Sequence, residues 1–288
     1  MTLEKKRIAI LFHAKERGNP LSGFMVDHLA DIWREDGYEV IYLFGVDEFV
    51  PADLLLVHVD LSVVPDEYLT FASRYPVSLN SKVGDIRKSK VSSNIIKRGD
   101  NYDGPVIVKS NLNFGGQPEE RLSQNWLQRH DGFLRRIGDA IQRFGKGTPP
   151  IDLIYPVYDN LADVPEKYLD REDLIVERFL PERENGLFMM HICLVLGDRL
   201  ICRRIGSPDP VFKASSSVCS EVVDVHPAVV SWRETYGLDY GKFDYLVHES
   251  GPVLIDINKT IGASRQVADS PQNVIRRELA QGLYSFLR

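Results

Sequence analysis

The sequence predicts a mixed chain in two parts, an α/β region with a parallel sheet followed by an α+β region of antiparallel strand pairs. Three observations carry this reading. Short apolar runs alternate with a helical pattern over residues 1–80. A long amphipathic stretch follows a basic segment in the middle of the chain. The last third then holds paired β-rich runs with turn residues between them.

RIAILF (7–12) reads as a buried strand and EVIYLF (39–44) as a second. Between them, MVDHLADIWRE (25–35) has apolar residues at helical spacing and stops before Gly37. LLLVHV (54–59) is a third strand and PVSLN (76–80) a fourth. Alternation of this kind predicts a parallel, Rossmann-like sheet over residues 1–80. The first strand-to-helix loop, HAKERGNPLSG, lacks the G-x-G-x-x-G pattern, so a dinucleotide site there has no support.

The next segment, 81–172, opens with a basic patch: Lys82, Arg87, Lys88, Lys90, Lys97, Arg98 and Lys109 against Asp85, Asp100 and Asp103. It ends in the strand PVIVK and the glycine-bearing loop SNLNFGGQPEE. A helix is expected over 121–144, because Leu122, Trp126, Leu127, Phe133, Leu134, Ile137, Ile141 and Phe144 fall at helical spacing; GKGTPP then breaks the pattern. The third segment, 173–288, begins with strands at 173–180 and 187–197. Gly197-Asp198 signals a hairpin turn before RLICRRI (199–205). A terminal helix is expected with Ser270 as N-cap and Pro271 at its first position.

Composition excludes several classes. The 288 residues are 43% apolar and 26% charged, ordinary for a globular chain, and the formal charge of −6 argues against a nucleic-acid partner held by bulk charge. No stretch approaches the ~20 apolar residues of a membrane helix. Cys193, Cys202 and Cys219 form no C-x-x-C pattern, and their odd number argues against a disulfide framework, so a reducing cytoplasmic setting is expected.

FDYLVHESGPVLIDINKT (243–260) concentrates the chemistry. It reads as a hairpin, yet Asp244 interrupts its first strand while Asp256 and Asn258 interrupt its second. Residues two apart face the same way, so Asp256 and Asn258 point together. A turn centred on Ser250 sets Asp244 opposite Asp256. Opposed like charges destabilise a hairpin; two carboxylates and an amide oxygen on one face instead suit a hard cation, above all Mg²⁺. The competing reading is the solvated face of an edge hairpin. VIVK followed by NFGG adds an ammonium and a loop whose N–H groups can approach phosphates, although a plain Gly-Gly turn would look the same. IVERFLPERE adds a strand that runs into Glu177 and a second acidic cluster.

Taken in order, the basic segment, VIVK with its glycine loop, ERFL with trailing Glu, an Arg-bearing hairpin and D…D-I-N resemble the ATP-grasp superfamily over about residues 80–262. The resemblance implies ATP held between two α+β subdomains behind a pre-ATP-grasp N-terminal domain. It implies Lys109 on the phosphates, a covering loop of Asn113, Phe114, Gly115, Gly116 and Gln117, and an adenine hinge of Glu177, Arg178, Phe179 and Leu180. Glu184 would take the ribose hydroxyls, and Asp244, Asp256 and Asn258 would hold Mg²⁺. Lys88 or Lys90 would be a second ATP lysine. Arg203, Arg204 and Lys213 would neutralise the transferred phosphate or the substrate carboxylate, with Arg204, two residues before Gly206, as the one turned to the site. The sequence departs from the family after D-I-N, where it has Thr260, Ile261 and Gly262.

The implied activity is ATP-dependent joining of a small carboxylic acid to an amine acceptor through an acylphosphate. Alternatives are a small-molecule kinase using the same site and a non-catalytic nucleotide-binding protein. A homodimer is the default assembly. Three histidines complete the candidates: His13 after the first strand, His58 on a strand face shared with Asp60, and His191 in mid-strand.

Overall fold

The computed structural model describes residues 6–123, 155–212, 217–263 and 271–287. Strands β1 (Arg7–Phe12), β2 (Glu39–Phe44), β3 (Leu54–Val57) and β4 (Ser78–Leu79) pair in parallel in the order β2-β1-β3-β4. Helix α1 (Met25–Glu35) packs on Ile8, Ile10 and Phe12, while α2 (Asp66–Ala72) packs on Ala9 and Leu11. Burial on both faces is why β1 reads as an unbroken apolar run.

The sheet's last strand is tied to the rest of the chain by Asn80, whose backbone has a φ of 59°. Its side chain accepts from the N–H groups of Asp239 and Tyr240 and donates to the Tyr240 carbonyl. After α3 (Lys88–Val91), β5 (Val106–Ser110) forms the centre of a three-stranded antiparallel sheet with β6 (Val157–Tyr158) and β7 (Leu174–Arg178). The chain leaves this sheet only after Arg178, so β7 belongs with the middle segment rather than with the strands of the last third. Helix α4 (Gln117–Ser123) starts directly after the glycine loop, earlier than position 121; the rest of the helix expected to 144 lies outside the described residues.

A short helix, α5 (Glu166–Leu169), precedes β7. The third sheet is made of β8 (Glu182–Glu184), β9 (Leu187–Leu196), β10 (Arg199–Ser207), β11 (Cys219–Val223), β12 (Tyr240–His248) and β13 (Gly251–Asn258), in the order β11-β10-β9-β12-β13 with β8 beside β9. One face packs on α6 (Pro227–Tyr236) through Val229 and Trp232. The other shares a core with the N-terminal sheet, in which Leu196, Ile201 and Tyr240 join Ile10, Leu56 and Trp33. The terminal helix α7 (Pro271–Ala280) begins at Pro271, and its Ala280 carbonyl accepts from Trp33 Nε1 at 3.0 Å.

Cysteine pairing departs from expectation. Cys193 and Cys202 are joined in a disulfide, and Cys219 is free. The two lie equally far from the Gly197-Asp198 turn, so the β9–β10 hairpin sets them directly opposite, with Cα atoms 4.0 Å apart. Counting cysteines missed what the hairpin register dictates.

Candidate functional site

The closing hairpin has the register its turn implies. Asp244 stands opposite Asp256, and Lys242 opposite Asn258. Opposed residues share a sheet face, so all four polar side chains meet on one side. Lys242 Nζ donates to Asp244 Oδ1 at 2.9 Å and Oδ2 at 2.6 Å. Asn258 Nδ2 lies 3.4 Å from Asp244 Oδ2 and 3.3 Å from Asp256 Oδ2. Burial pushes the Asp244 carboxyl above its ordinary range; Lys242 opposes this and Asp256 adds to it. β13 is the last strand of its sheet, but this face of the hairpin is largely buried.

Across from the hairpin, Lys109 on β5 donates to Glu177 Oε2 on β7 at 2.6 Å. Glu177 pairs with Ile107, two residues from Lys109, so both side chains fall on one face of that sheet. The glycine loop follows β5. Phe114 and Gly115 have φ of 47° and 67°, a left-handed pair that reverses the chain and starts α4. The Asn113 N–H donates to Ser62 Oγ at 2.8 Å, anchoring the loop to the N-terminal sheet. Phe114 is 68% exposed. At the hinge, Arg178 donates its N–H to the Asn94 carbonyl and Phe179 to that of Pro105, which pins the strand as it leaves the sheet.

These elements enclose one cavity of about 810 Å³, the size of a small-molecule site. Lys88, Lys109, Asn113 and Phe114 line one wall; Glu177, Arg178, Phe179 and Leu180 line a second; Asp244, Asp256 and Asn258 line a third. Lys88 settles against Lys90 on position: it is 4% exposed, donates to the Leu112 carbonyl at 3.2 Å and stands 3.5 Å from Asp256 Oδ1, whereas Lys90 is exposed. Gly115 and Gly116 shape the loop without lining the cavity.

Four expectations are corrected. Arg204 is not turned to the metal-side face. Along β9, Ile192 pairs with both Arg203 and Asp244, whereas His191 pairs with Arg204 and Tyr245. Arg203 therefore shares the face of Asp244, and its buried Nε lacks a hydrogen-bond partner among the described residues. Arg204 is held on the opposite face by Glu182, Glu184 and Glu221. Glu184 is the second correction: it is engaged by Arg204 and lines no part of the cavity, whereas Glu182 does.

Burial disfavours the ionised form of Glu182, but hydrogen bonds from His191, the Val247 N–H and Arg204 outweigh it and hold its pKa down to about 2. His191 accordingly serves Glu182, 3.2 Å away, and stacks on Tyr245. The third correction is that His58 does not pair with Asp60. Both ring nitrogens of His58 lack partners among the described residues, and the ring sits among Phe12, Phe24 and Tyr240. Asp60 instead accepts from Thr260 Oγ1 at 2.6 Å and from Arg121 at 2.8 Å. The fourth is His13, which caps a short turn and stacks on Tyr68 away from the cavity. Lys213 lies outside the described residues.

Sequence reasoning missed Lys242. The signal was present in K-F-D, since a residue two before Asp244 must share its face. It also missed the polar junction where the N-terminal sheet meets the loop after β13. There Lys259, buried, donates to the Leu61 carbonyl, and Arg121 bridges Glu16 and Asp60. No local pattern announces contacts between residues this far apart in the chain.

The donor set fits a hard divalent ion: two carboxylates and an amide on one face, with Asp256 Oδ1 buried and making no hydrogen bond. Among the described residues no group of three or more His, Cys, Asp or Glu side chains is placed to hold a metal ion, so this site depends on Asn258 as its third donor.

No protein-family model matches the chain, and no curated protein matches it by sequence. Solved structures do. The chain is similar to D-alanine–D-alanine ligase from Bacillus anthracis, with a TM-score of 0.53 at 10% identity over 98% of this chain and 96% of that one. It is similar to a structure of that ligase complexed with ATP, with a TM-score of 0.50 at 11% identity over 99% and 98% of the two chains. It is also similar to the ATP-grasp ligase PsnB complexed with minimal precursor, with a TM-score of 0.52 at 12% identity over 99% and 100%. The chain has the ATP-grasp fold across nearly its whole length. At such identities the likeness is one of fold, and function must be argued from the site.

Proposed function

We propose that this protein is an ATP-dependent, Mg²⁺-requiring ligase that joins a carboxylate to an amine through an acylphosphate. The observation that most supports this is the convergence in one cavity of Lys109, Asn113 and Phe114 of the glycine loop, the 177–180 hinge and the Asp244–Asp256–Asn258 face. Similar structures named as ligases, one complexed with ATP, point the same way.

In this reading the adenine lies against the hinge, and Lys109 and Lys88 take phosphate oxygens. Asp244, Asp256 and Asn258 would hold Mg²⁺, which would supply positive charge against the phosphates. Arg203 lies on the same sheet face but does not line the cavity, so its guanidinium would reach the transferred phosphoryl group or the substrate carboxylate by moving toward it. The attacking carboxylate is already ionised, so the first step needs no general base. Water exclusion falls to the glycine loop, where exposed Phe114 is placed to close over bound nucleotide.

The N-terminal parallel sheet (1–80) is read as the Rossmann-like domain that contributes to the acceptor site; the middle segment, extended through β7 to Arg178, and the chain beyond it are read as the two grasping subdomains, joined at the 177–180 hinge. The Cys193–Cys202 disulfide removes the cysteine argument for a reducing setting, so ATP consumption alone supports a cytoplasmic one; a homodimer remains the default assembly.

The test is incubation of wild-type protein with candidate acids, ATP, Mg²⁺ and hydroxylamine. A ligase yields hydroxamate together with ADP. ADP with a stable phosphoester and no hydroxamate would make it a kinase, and binding without ADP release would make it non-catalytic.

A further inference from the structure

The two carboxylates of the metal-side face are already neutralised from within the chain. Lys242 Nζ takes both oxygens of Asp244, at 2.9 and 2.6 Å, and Lys88 Nζ stands 3.5 Å from Asp256 Oδ1. Asn258 turns its amide nitrogen, not its oxygen, toward both carboxylates. Asp244 is 8% exposed and Lys88 4%. Two ammonium groups against two carboxylates leave this cluster without net charge at a largely buried wall of the cavity. A bare divalent cation entering there would bring two positive charges with nothing to balance them, at a cost that a low dielectric magnifies. A triphosphate, with its several negative charges, reverses that balance and gives a displaced ammonium a new partner.

We infer that Lys242 is an internal counter-ion that closes the Asp244–Asp256 site to free divalent cations and makes metal binding depend on nucleotide. Lys242 rather than Lys88 has this role, because it engages both oxygens of a single carboxylate from two residues away on the same strand. Lys88 stands farther from its carboxylate and also donates to the Leu112 carbonyl. Lys242 also stands opposite Asn258 in the ladder, so its departure frees the face that Asn258 shares. The inference rests on the proposed reading of Asp244, Asp256 and Asn258 as metal ligands.

The experiment measures protein-bound Mn²⁺ by electron paramagnetic resonance. Wild type should bind no Mn²⁺ on its own and should bind it when a non-hydrolysable ATP analogue is added; these arms need no variant. Lys242→Met should bind Mn²⁺ without nucleotide about tenfold or more tightly than wild type, as removal of one adjacent positive charge requires. Lys242→Arg, which keeps the charge, should not. Adding Asp244→Asn to Lys242→Met should abolish the gain. Wild type binding Mn²⁺ alone as tightly as Lys242→Met would overturn the inference and leave the metal site standing. Lys242→Met gaining nothing, while wild type binds with the analogue, would overturn the role of Lys242. No binding in any arm, nucleotide included, would remove the metal site itself and the inference with it.

Discussion

Lys109 and Glu177 form an ion pair across β5 and β7, Nζ to Oε2 at 2.6 Å, with side chains 12% and 5% exposed. The pair joins the wall that would carry phosphates to the start of the hinge. On the proposed reading Lys109 would have two separable roles, holding Glu177 and meeting nucleotide.

Lys109→Met leaves the Glu177 charge without its cation, and breaking such a buried pair costs about 3–5 kcal/mol. Urea denaturation should show that loss. Lys109→Met/Glu177→Gln removes the stranded charge and should regain most of the stability while nucleotide affinity stays low. A double variant that binds nucleotide like wild type would remove Lys109 from the phosphate site.

Arg203 and Arg204 should separate cleanly. Arg203→Met is expected to lower turnover about a hundredfold, the scale for losing one donor to developing negative charge. Arg204→Met strands Glu182 and Glu184, so it should lower the melting temperature while changing turnover by less than about tenfold. Steady-state kinetics with differential scanning calorimetry reads both effects. The reverse ranking would mean that the face assignment is wrong.

His58 offers a test through pH. Burial, helped by the Lys259 charge, lowers its pKa to about 3 from an ordinary 6.5. Below pH 6.5 the unfolded chain therefore takes up a proton that the folded chain refuses, so this contribution to stability is full above 6.5 and is lost as the pH falls toward 3. His58→Leu should flatten that loss in denaturation curves taken at successive pH values. Because no partner satisfies the ring nitrogens among the described residues, it should also gain about 1–3 kcal/mol at neutral pH. An unchanged pH slope would show that His58 does not titrate in this way.

The Cys193–Cys202 bond closes a short loop in the central sheet, and both residues are buried. Replacing either by serine should cost about 2–4 kcal/mol, and thiol labelling of denatured, unreduced protein should find Cys219 alone. Labelling of all three cysteines in protein purified without reductant would show that the pair stays reduced.

What the sequence revealed depended on how local the signal was. Asp244 and Asp256 were legible as a pair because a hairpin turn sets register by counting outward from its centre. The same counting from Gly197-Asp198 would have found the Cys193–Cys202 pair. The glycine loop and hinge were legible as local strings. The face of Arg203 was not, because it depends on β9 standing between β10 and β12, a pairing of strands far apart in the chain. Spacing in the chain favoured Glu184 over Glu182 wrongly for the same reason: β8 lies against β9, and only in that packing does Glu182 line the cavity while Glu184 does not. His58 and Asp60 looked like partners by alternation, yet β3 ends at Val57 and the two side chains go to different neighbours.

The central claim is that one cavity grips a magnesium–nucleotide complex between Lys109 and the last hairpin. Calorimetric titration of a non-hydrolysable ATP analogue with Mg²⁺ into wild type, Lys109→Met/Glu177→Gln and Asp256→Asn tests it most directly. The expected result is one site in wild type and affinity weakened by about tenfold or more in both variants. Equal affinity in all three proteins, or no binding to wild type, would contradict it.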